Sequence, residues 1–240
     1  MTAEEIALPF QPTRIRWRQS ALIKAAKGKE TARILAFHGG GGVDGNPEML
    51  APFCETLAAG HDDLTIILAQ YRTLNRDGAT LAQMLSDAGH ALRWSRRKAA
   101  SGSRLFVMGA SFGGLLALDA VMASPNRVKG LILLNPVTDI ARGGFSNRVI
   151  PSDGRPDLSP LTRWAGWQGM QHLNCLTIHG CDDNVVPVGT SEEFSALWPE
   201  RHSRFIAYPN AGHGFFNLPA HQSPVARNIH DFLALAPGAL

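Results

Sequence analysis

Residues 105–114 of this chain read LFVMGASFGG, and this stretch decides the fold. Its first four residues are apolar, as expected of a strand that is covered on both faces. A helical pattern follows from Gly113 and ends before Pro125. Between them the chain must turn sharply at Ser111, and Gly109 and Gly113 leave room for that turn. The stretch therefore predicts a strand, a tight turn and a helix, with the Ser111 hydroxyl at the carboxyl edge of a sheet.

Apolar runs of similar length recur on both sides of this stretch. They fall at residues 33–37, 64–68, 104–108, 130–134, 175–178 and 205–208. Between them, Leu81, Met84, Leu85, Ala88, Ala91 and Leu92 recur at helical spacing. An earlier helix is expected from Asn46-Pro47 to Gly60, with its start delayed or bent by Pro52. The alternation predicts an α/β fold with a mostly parallel, doubly wound sheet and helices on both faces.

Two segments stand outside this alternation. Residues 14–18 are expected to form a leading strand. Residues 138–172 are rich in Gly, Pro, Arg and Trp and have no clean period, and a connection this long usually lies over a functional site. We therefore predict a single domain spanning residues 1–240, with a small lid at 138–172.

Composition excludes several classes of function. The chain has 240 residues, 45% of them hydrophobic and 18% charged, which indicates a packed core. Its net charge is only +3, and the basic run at Arg93 and residues 96–98 falls at the end of a predicted helix, so no nucleic-acid partner is expected. No apolar run reaches the roughly 18 residues of a membrane span. Without a leader-like start, the expected location is cytoplasmic.

Cysteine content argues against both a disulfide framework and a metal site. The three cysteines, Cys54, Cys175 and Cys181, are an odd number without metal-ligand spacing. They are expected to pack as small buried hydrophobic residues.

The serine in the sharp turn is a candidate nucleophile. A serine hydroxyl is a weak nucleophile until a base takes its proton, so Ser111 predicts a histidine and an orienting acid farther along the chain. His213 lies between two glycines after the strand at 205–208, and Asp182 and Asp183 follow the strand at 175–178. Both loops follow the carboxyl ends of predicted strands, which is where α/β proteins usually have their active sites. His179 is expected to be structural, as are His61, His90 and His202.

A glycine run follows the first buried strand. His38 is followed by four glycines, which let backbone amides turn towards a bound ligand. The N–H groups of Gly40, Gly41 and Phe112 are the candidates for stabilising a negatively charged oxygen beside Ser111.

Taken in their order along the chain, these motifs resemble the α/β-hydrolase superfamily from about residue 33 to the C-terminus. The His38 glycine loop is similar to the HGGG oxyanion loop of its lipases and esterases. The Tyr71-Arg72 pair and residues 87–94 resemble hormone-sensitive-lipase-like carboxylesterases and acetyl esterases. Residues 179–187 match the H-G-x-x-D-x-x-V-P loop of these hydrolases, which favours Asp183 over Asp182 as the triad acid. The resemblance implies a Ser111-His213-Asp183 triad and ester hydrolysis without a metal or organic cofactor.

The sequence also departs from that family. Gln70 replaces the Asp of a common Asp-Tyr-Arg motif, and too few residues precede the fold to build the N-terminal cap of the family. The turn around Ser111 is also similar to that of prolyl-oligopeptidase-type peptidases.

The predicted function is hydrolysis of small esters with short acyl chains. The lid residues Phe145, Trp164, Trp167 and Met170 are expected to cover only a shallow site, although Trp164 and Trp167 are each equally expected to pack the lid onto the core. Two alternatives stay open, namely a peptidase or acyl-aminoacyl hydrolase with the same triad, and a non-catalytic binding protein that kept the fold.

Overall fold

The computed structural model describes residues 1–6, 19–140 and 158–235, without the side chains of Met170 and Gln171. An eight-stranded sheet lies at its centre. The strands are β1 (Thr2–Ile6), β2 (Gln19–Lys24), β3 (Ala32–Phe37), β4 (Leu64–Ala69), β5 (Arg104–Ala110), β6 (Val128–Leu134), β7 (Asn174–Gly180) and β8 (Ser203–Tyr208). Their order is β1-β2-β4-β3-β5-β6-β7-β8, and all pairs from β4 to β8 are parallel. The predicted α/β fold with a mostly parallel sheet is confirmed.

The antiparallel part of the sheet was not predicted. β2 pairs antiparallel with both β1 and β4. β1 is exposed at four of its five residues, so it has no continuous apolar run to signal a strand. The strand predicted at 14–18 lies outside the described residues.

Helices occupy both faces of the sheet. They are α1 (Ala51–Ala58), α2 (Leu74–Asp77), α3 (Leu81–Lys98), α4 (Phe112–Ala123), α5 (Pro160–Trp164), α6 (Val188–Ser195) and α7 (Pro219–Ala234). α3 begins with a capping box in which Thr80 and Gln83 satisfy each other's backbone N–H groups, and it ends in basic residues that suit the helix dipole. The helix expected from 46 to 60 is divided, because a 3₁₀ turn at Pro47–Met49 precedes α1.

Alternate residues of each central strand enter opposite layers of the core. In β3, Leu35 and Phe37 pack with α3 and α4, whereas Ile34 and Ala36 pack with α1 and α7. All four side chains are fully buried. Cys54 and Cys175 are buried as expected, but Cys181 is exposed in the loop after β7.

The predicted lid is described only in part, because residues 141–157 lie outside the described ranges, as does Phe145. Trp164 stacks on Trp198 with 5.0 Å between ring centroids, and it meets Trp167 at 4.6 Å. With 1% of its surface exposed, Trp164 belongs to the core rather than to the roof of a site. Within the described ranges, no helix combines the length and apolar character that a membrane span requires.

Candidate active site

Ser111 occupies a strained turn between β5 and α4. Its backbone has φ 54° and ψ −124°, a conformation that non-glycine residues adopt only where the surrounding structure imposes it. The Ser111 N–H donates to Leu134 O at 2.9 Å, and its carbonyl accepts from the N–H groups of Gly114 at 2.9 Å and Val137 at 3.0 Å. The neighbouring strand and the first turn of α4 therefore hold the turn in place.

Small residues on both sides make this turn possible. A Cβ on Gly109 would lie 2.2 Å from the Gly113 carbonyl oxygen, and one on Gly113 would lie 2.2 Å from the Phe37 carbonyl oxygen. Real Cβ atoms do not approach that closely, so both positions require glycine. α4 consequently starts in direct backbone contact with the end of β3.

The structure brings the three side chains of the predicted triad together. His213 Nε2 lies 3.0 Å from Ser111 Oγ, and His213 Nδ1 lies 2.7 Å from Asp183 Oδ2. Ser111 follows β5, Asp183 follows β7 and His213 follows β8, so the carboxyl ends of three parallel strands supply the group. This geometry orients His213 Nε2 to accept the Ser111 proton.

The two neighbouring carboxylates have different surroundings. Asp182 is exposed, and its backbone N–H donates to Ala211 O at 3.0 Å. Asp183 is buried with 8% of its surface exposed, and it alone of the two contacts His213.

Asp183 accepts hydrogen bonds on both carboxylate oxygens. Oδ1 accepts from the N–H groups of Val185 at 2.8 Å and Val186 at 2.9 Å. Oδ2 accepts from Asn135 Nδ2 at 2.6 Å and lies 3.1 Å from His179 Nε2, in addition to His213. Burial on its own raises the pKa of this carboxyl, but the hydrogen bonds from the two histidines and Val186 outweigh it and hold the pKa well below its usual value.

Sequence reasoning missed the contacts of Asn135 and His179 with Asp183. Asn135 has a positive φ of 44° and follows β6 at the sheet edge that carries the site. An Asn directly after an apolar strand was the available signal. His179 was expected to be structural, and it is fully buried. Its contact with Asp183 joins it to the candidate triad.

The side chains of Tyr71 and His38 contact the backbone of the glycine loop that follows His38. The Tyr71 ring stacks on His38 with 4.2 Å between centroids, and its hydroxyl donates to the carbonyls of His38 at 3.0 Å and Gly39 at 2.9 Å. His38 Nδ1 lies 2.8 Å from Gly39 O, so it carries the proton and donates. Burial lowers the pKa of His38 to about 4, which keeps the ring neutral at pH 7.

Gly40 has a backbone conformation that only glycine adopts readily. Its φ is 106°, and an added Cβ would lie 2.0 Å from Asp44 O. The Gly40 carbonyl accepts from the N–H groups of Val43 and Asp44, both at 3.1 Å. The Gly40 carbonyl therefore bonds to N–H groups of the same loop.

A cavity of about 380 Å³ opens beside these groups. It is lined by Gly39, Gly40, Gly41, Met49, Leu50, Ala110, Ser111, Val185, His213, Gly214, Phe216 and Asn217. The candidate oxyanion donors Gly40 and Gly41 are in this lining, and Phe112 stands directly after Ser111 as the first residue of α4. Within the described residues Trp164 and Trp167 do not line the cavity. They pack with the core instead, which is the second of the two expectations for them.

Comparisons with known proteins identify the fold family of the chain. The family model described as the alpha/beta hydrolase fold matches residues 34–165, more than half of the chain. No curated protein matches the sequence.

Solved structures of an esterase from the planctomycete Thermogutta terrifontis are similar over nearly the whole chain. Its native form has a TM-score of 0.74 at 24% identity, covering 97% of this chain and 91% of that one. The butyrate-bound form gives 0.72 at 25% identity, covering 92% and 91%. The form phosphorylated by paraoxon gives 0.74 at 25% identity, covering 96% and 93%. With the family match over residues 34–165, these findings establish that the chain belongs to the alpha/beta hydrolase fold family.

Proposed function

We propose that this chain is a carboxylesterase that hydrolyses short-chain acyl esters through a covalent acyl-enzyme. The continuous hydrogen-bonded row from Ser111 Oγ through His213 to Asp183 carries the proposal. Such a row supplies the activated nucleophile that attack on an ester carbonyl requires.

The first half of the reaction forms the acyl-enzyme. His213 Nε2 takes the Ser111 proton as Oγ attacks the ester carbonyl, and Asp183 stabilises the resulting imidazolium. The N–H groups of Gly40, Gly41 and Phe112 donate to the carbonyl oxygen as it becomes negative. His213 then gives its proton to the departing alcohol.

The second half returns the serine to its starting state. Water enters where the alcohol left and gives a proton to His213 Nε2 as it attacks the acyl carbon. The acid leaves when Ser111 Oγ regains the proton. Over one cycle, one ester and one water become one alcohol and one acid, and Ser111 and His213 regain their starting protonation.

Cavity size and the comparisons support a short acyl chain. A volume of about 380 Å³ is near the lower limit of ordinary ligand sites. The Thermogutta terrifontis esterase has been solved with butyrate and with propionate bound. It has also been solved phosphonylated by sarin, a modification that supports the comparison with an activated serine.

Covalent labelling tests the proposed nucleophile. A fluorophosphonate probe should label the wild-type protein on Ser111, because the probe reacts with activated serines. The Ser111→Ala variant should remain folded, take up no label and lose turnover of 4-nitrophenyl acetate on the order of 10³-fold or more. A folded wild-type protein that takes up no label would favour the non-catalytic binding alternative.

A parallel assay separates the ester from the amide reaction. Acyl 4-nitrophenyl esters and aminoacyl 4-nitroanilides should be compared at equal concentration, and kcat/KM should be higher for the esters. Faster cleavage of the anilides would replace the esterase proposal with the peptidase alternative.

A further inference from the structure

Asp183 lies between two histidine–serine pairs. On one side, His213 contacts Asp183 Oδ2 and Ser111 Oγ. On the other side, His179 Nε2 lies 3.1 Å from the same Oδ2, and His179 Nδ1 lies 2.8 Å from Ser191 Oγ. His179 is at the end of β7, and Ser191 is on α6. Both are fully buried, so solvent does not compete for these contacts.

The neighbours of His179 determine which ring nitrogen carries its proton. Nε2 faces two acceptors, Asp183 Oδ2 at 3.1 Å and the carbonyl of Val186 at 3.0 Å. A nitrogen between two acceptors must carry hydrogen. In the neutral ring Nδ1 then has only a lone pair, and Ser191 is the group that can donate to it. The contacts therefore place a proton on Nε2, and they fit a neutral ring that accepts the Ser191 hydroxyl hydrogen at Nδ1.

The charge of His179 affects how strongly Asp183 can stabilise the imidazolium of His213. A neutral donor gives Asp183 a hydrogen bond and leaves its full negative charge available to the imidazolium of His213. A cationic His179 at the same distance would offset that charge in a buried site, where charges interact strongly.

We propose that His179 and Ser191 are positioning residues for Asp183, with Ser191 donating to Nδ1 and thereby keeping His179 in its neutral, Nε2-protonated form. Asp183 Oδ2 is thus held by a second histidine in addition to His213. The inference rests on the proposed esterase function for its kinetic consequence, while the protonation state of His179 can be measured without any turnover.

Nitrogen NMR of histidine side chains tests the protonation state. In ¹⁵N-histidine-labelled protein at pH 7, the His179 ring should show a protonated Nε2 and an unprotonated Nδ1, with the signals assigned by their loss in His179→Gln. In Ser191→Ala the Nδ1 signal should shift, because that nitrogen loses its hydrogen bond. Ser195→Ala is the matched control, since Ser195 lies one turn farther along α6 and its buried hydroxyl has no partner in the described residues. It should leave the signal unchanged.

Kinetics test the positioning role. His179→Leu removes the hydrogen bond to Asp183 Oδ2 and should lower kcat for 4-nitrophenyl acetate about tenfold or more. KM should be nearly unchanged, because the His213 imidazolium that Asp183 stabilises forms only in the transition state. His179→Gln can place an amide N–H near the Nε2 position and should recover much of the loss. Ser191→Ala should lower kcat severalfold, and Ser195→Ala should not. If His179→Leu fails to fold, the two serine variants decide the question.

Three results would overturn the inference. They are a doubly protonated His179 at pH 7, a ring protonated only at Nδ1, or equal kcat values for wild type, Ser191→Ala and Ser195→Ala. A failure of the esterase proposal gives a different result, since the wild-type protein would then be inactive on esters whatever form His179 takes.

Discussion

Asp183 illustrates how single residues set the chemistry of this site, because its carboxylate contacts both backbone and side-chain donors. Asp183→Asn replaces one carboxylate oxygen with an N–H₂ group that cannot accept from His213 Nδ1. We expect kcat for 4-nitrophenyl acetate to fall by about 10³-fold or more. Asp182→Asn makes the same chemical change at an exposed neighbour and should leave kcat within about twofold. Similar losses in the two variants would remove Asp183 from the triad.

His38 should make the stability of the protein sensitive to acid. Burial lowers its pKa from 6.5 to about 4 in the folded state. As pH falls below about 6.5, the unfolded chain takes up a proton that folded His38 refuses, so stability present above that pH is lost between about 6.5 and 4. The shift corresponds to a loss of about 3 kcal/mol in the free energy of unfolding.

The His38→Asn variant isolates this contribution. Asn can still donate to Gly39 O but does not titrate, so urea unfolding should show a smaller loss of stability between pH 6.5 and 4 than in wild type. Equal pH dependence in the two proteins would contradict the assignment.

Sequence patterns predicted the residues that the structure brings together but not the groups around them. Ser111 and His213 each stand between glycines in loops after apolar strands, and such local signals are readable without a structure. Asn135 has only the weaker signal of a polar residue directly after an apolar strand, and Ser191 has none. Their roles depend on contacts with residues 48 and 12 positions away, which form only when β6, β7 and α6 pack together.

Helix α4 shows at the scale of elements how packing places the nucleophile. Gly113 lets α4 start against the end of β3, with no space for a Cβ beside the carbonyl of Phe37. Gly113→Ala must therefore push the backbone apart, and we expect the free energy of unfolding to fall by about 3 kcal/mol and esterase activity to fall with it. Chemical denaturation and 4-nitrophenyl acetate turnover measure the two effects.

Gly89→Ala provides the matched control for this change. Gly89 lies inside α3, where an added Cβ would meet only the end of the Arg93 side chain at 3.4 Å. Because alanine favours helix more than glycine does, this variant should be about 0.5–1 kcal/mol more stable than wild type. Equal destabilisation by both substitutions would show that backbone contact is not what requires Gly113.

Strands and helices were predictable where the same burial pattern applied to every residue of the segment. Central strands such as β3 are buried on both faces, and apart from Arg33 all residues of β3 are apolar. β1 is the edge strand of the sheet and β2 lies next to it. Both carry polar residues, and the pairing of β2 with β4 joins segments that are distant in the chain. The position of Trp164 was not predictable, because an aromatic residue in an irregular segment can cover a site or pack into a core, and Trp164 packs into the core.

At the scale of the whole molecule, the proposed short-chain specificity concerns the cavity of about 380 Å³ beside Ser111. Under the proposed function, a short acyl chain is expected to fit in this cavity and a longer one to leave part of its length in solvent. Each further buried methylene would contribute about 0.8 kcal/mol, so an extended tunnel would make kcat/KM rise steadily with chain length. We expect instead a maximum between acetyl and butyryl across 4-nitrophenyl esters. A value still rising at octanoyl would contradict the proposed short-chain specificity.

The distance between Ser111 and His213 along the chain also has a consequence for protein synthesis. The two residues are 102 positions apart, so the ribosome adds the base long after the nucleophile. At about 5–20 residues per second, the nascent chain carries Ser111 for about 5–20 seconds before His213 exists. Throughout that interval the serine has no base to remove its proton. The nascent polypeptide therefore cannot use Ser111 as an activated nucleophile until the loop after β8 has been made.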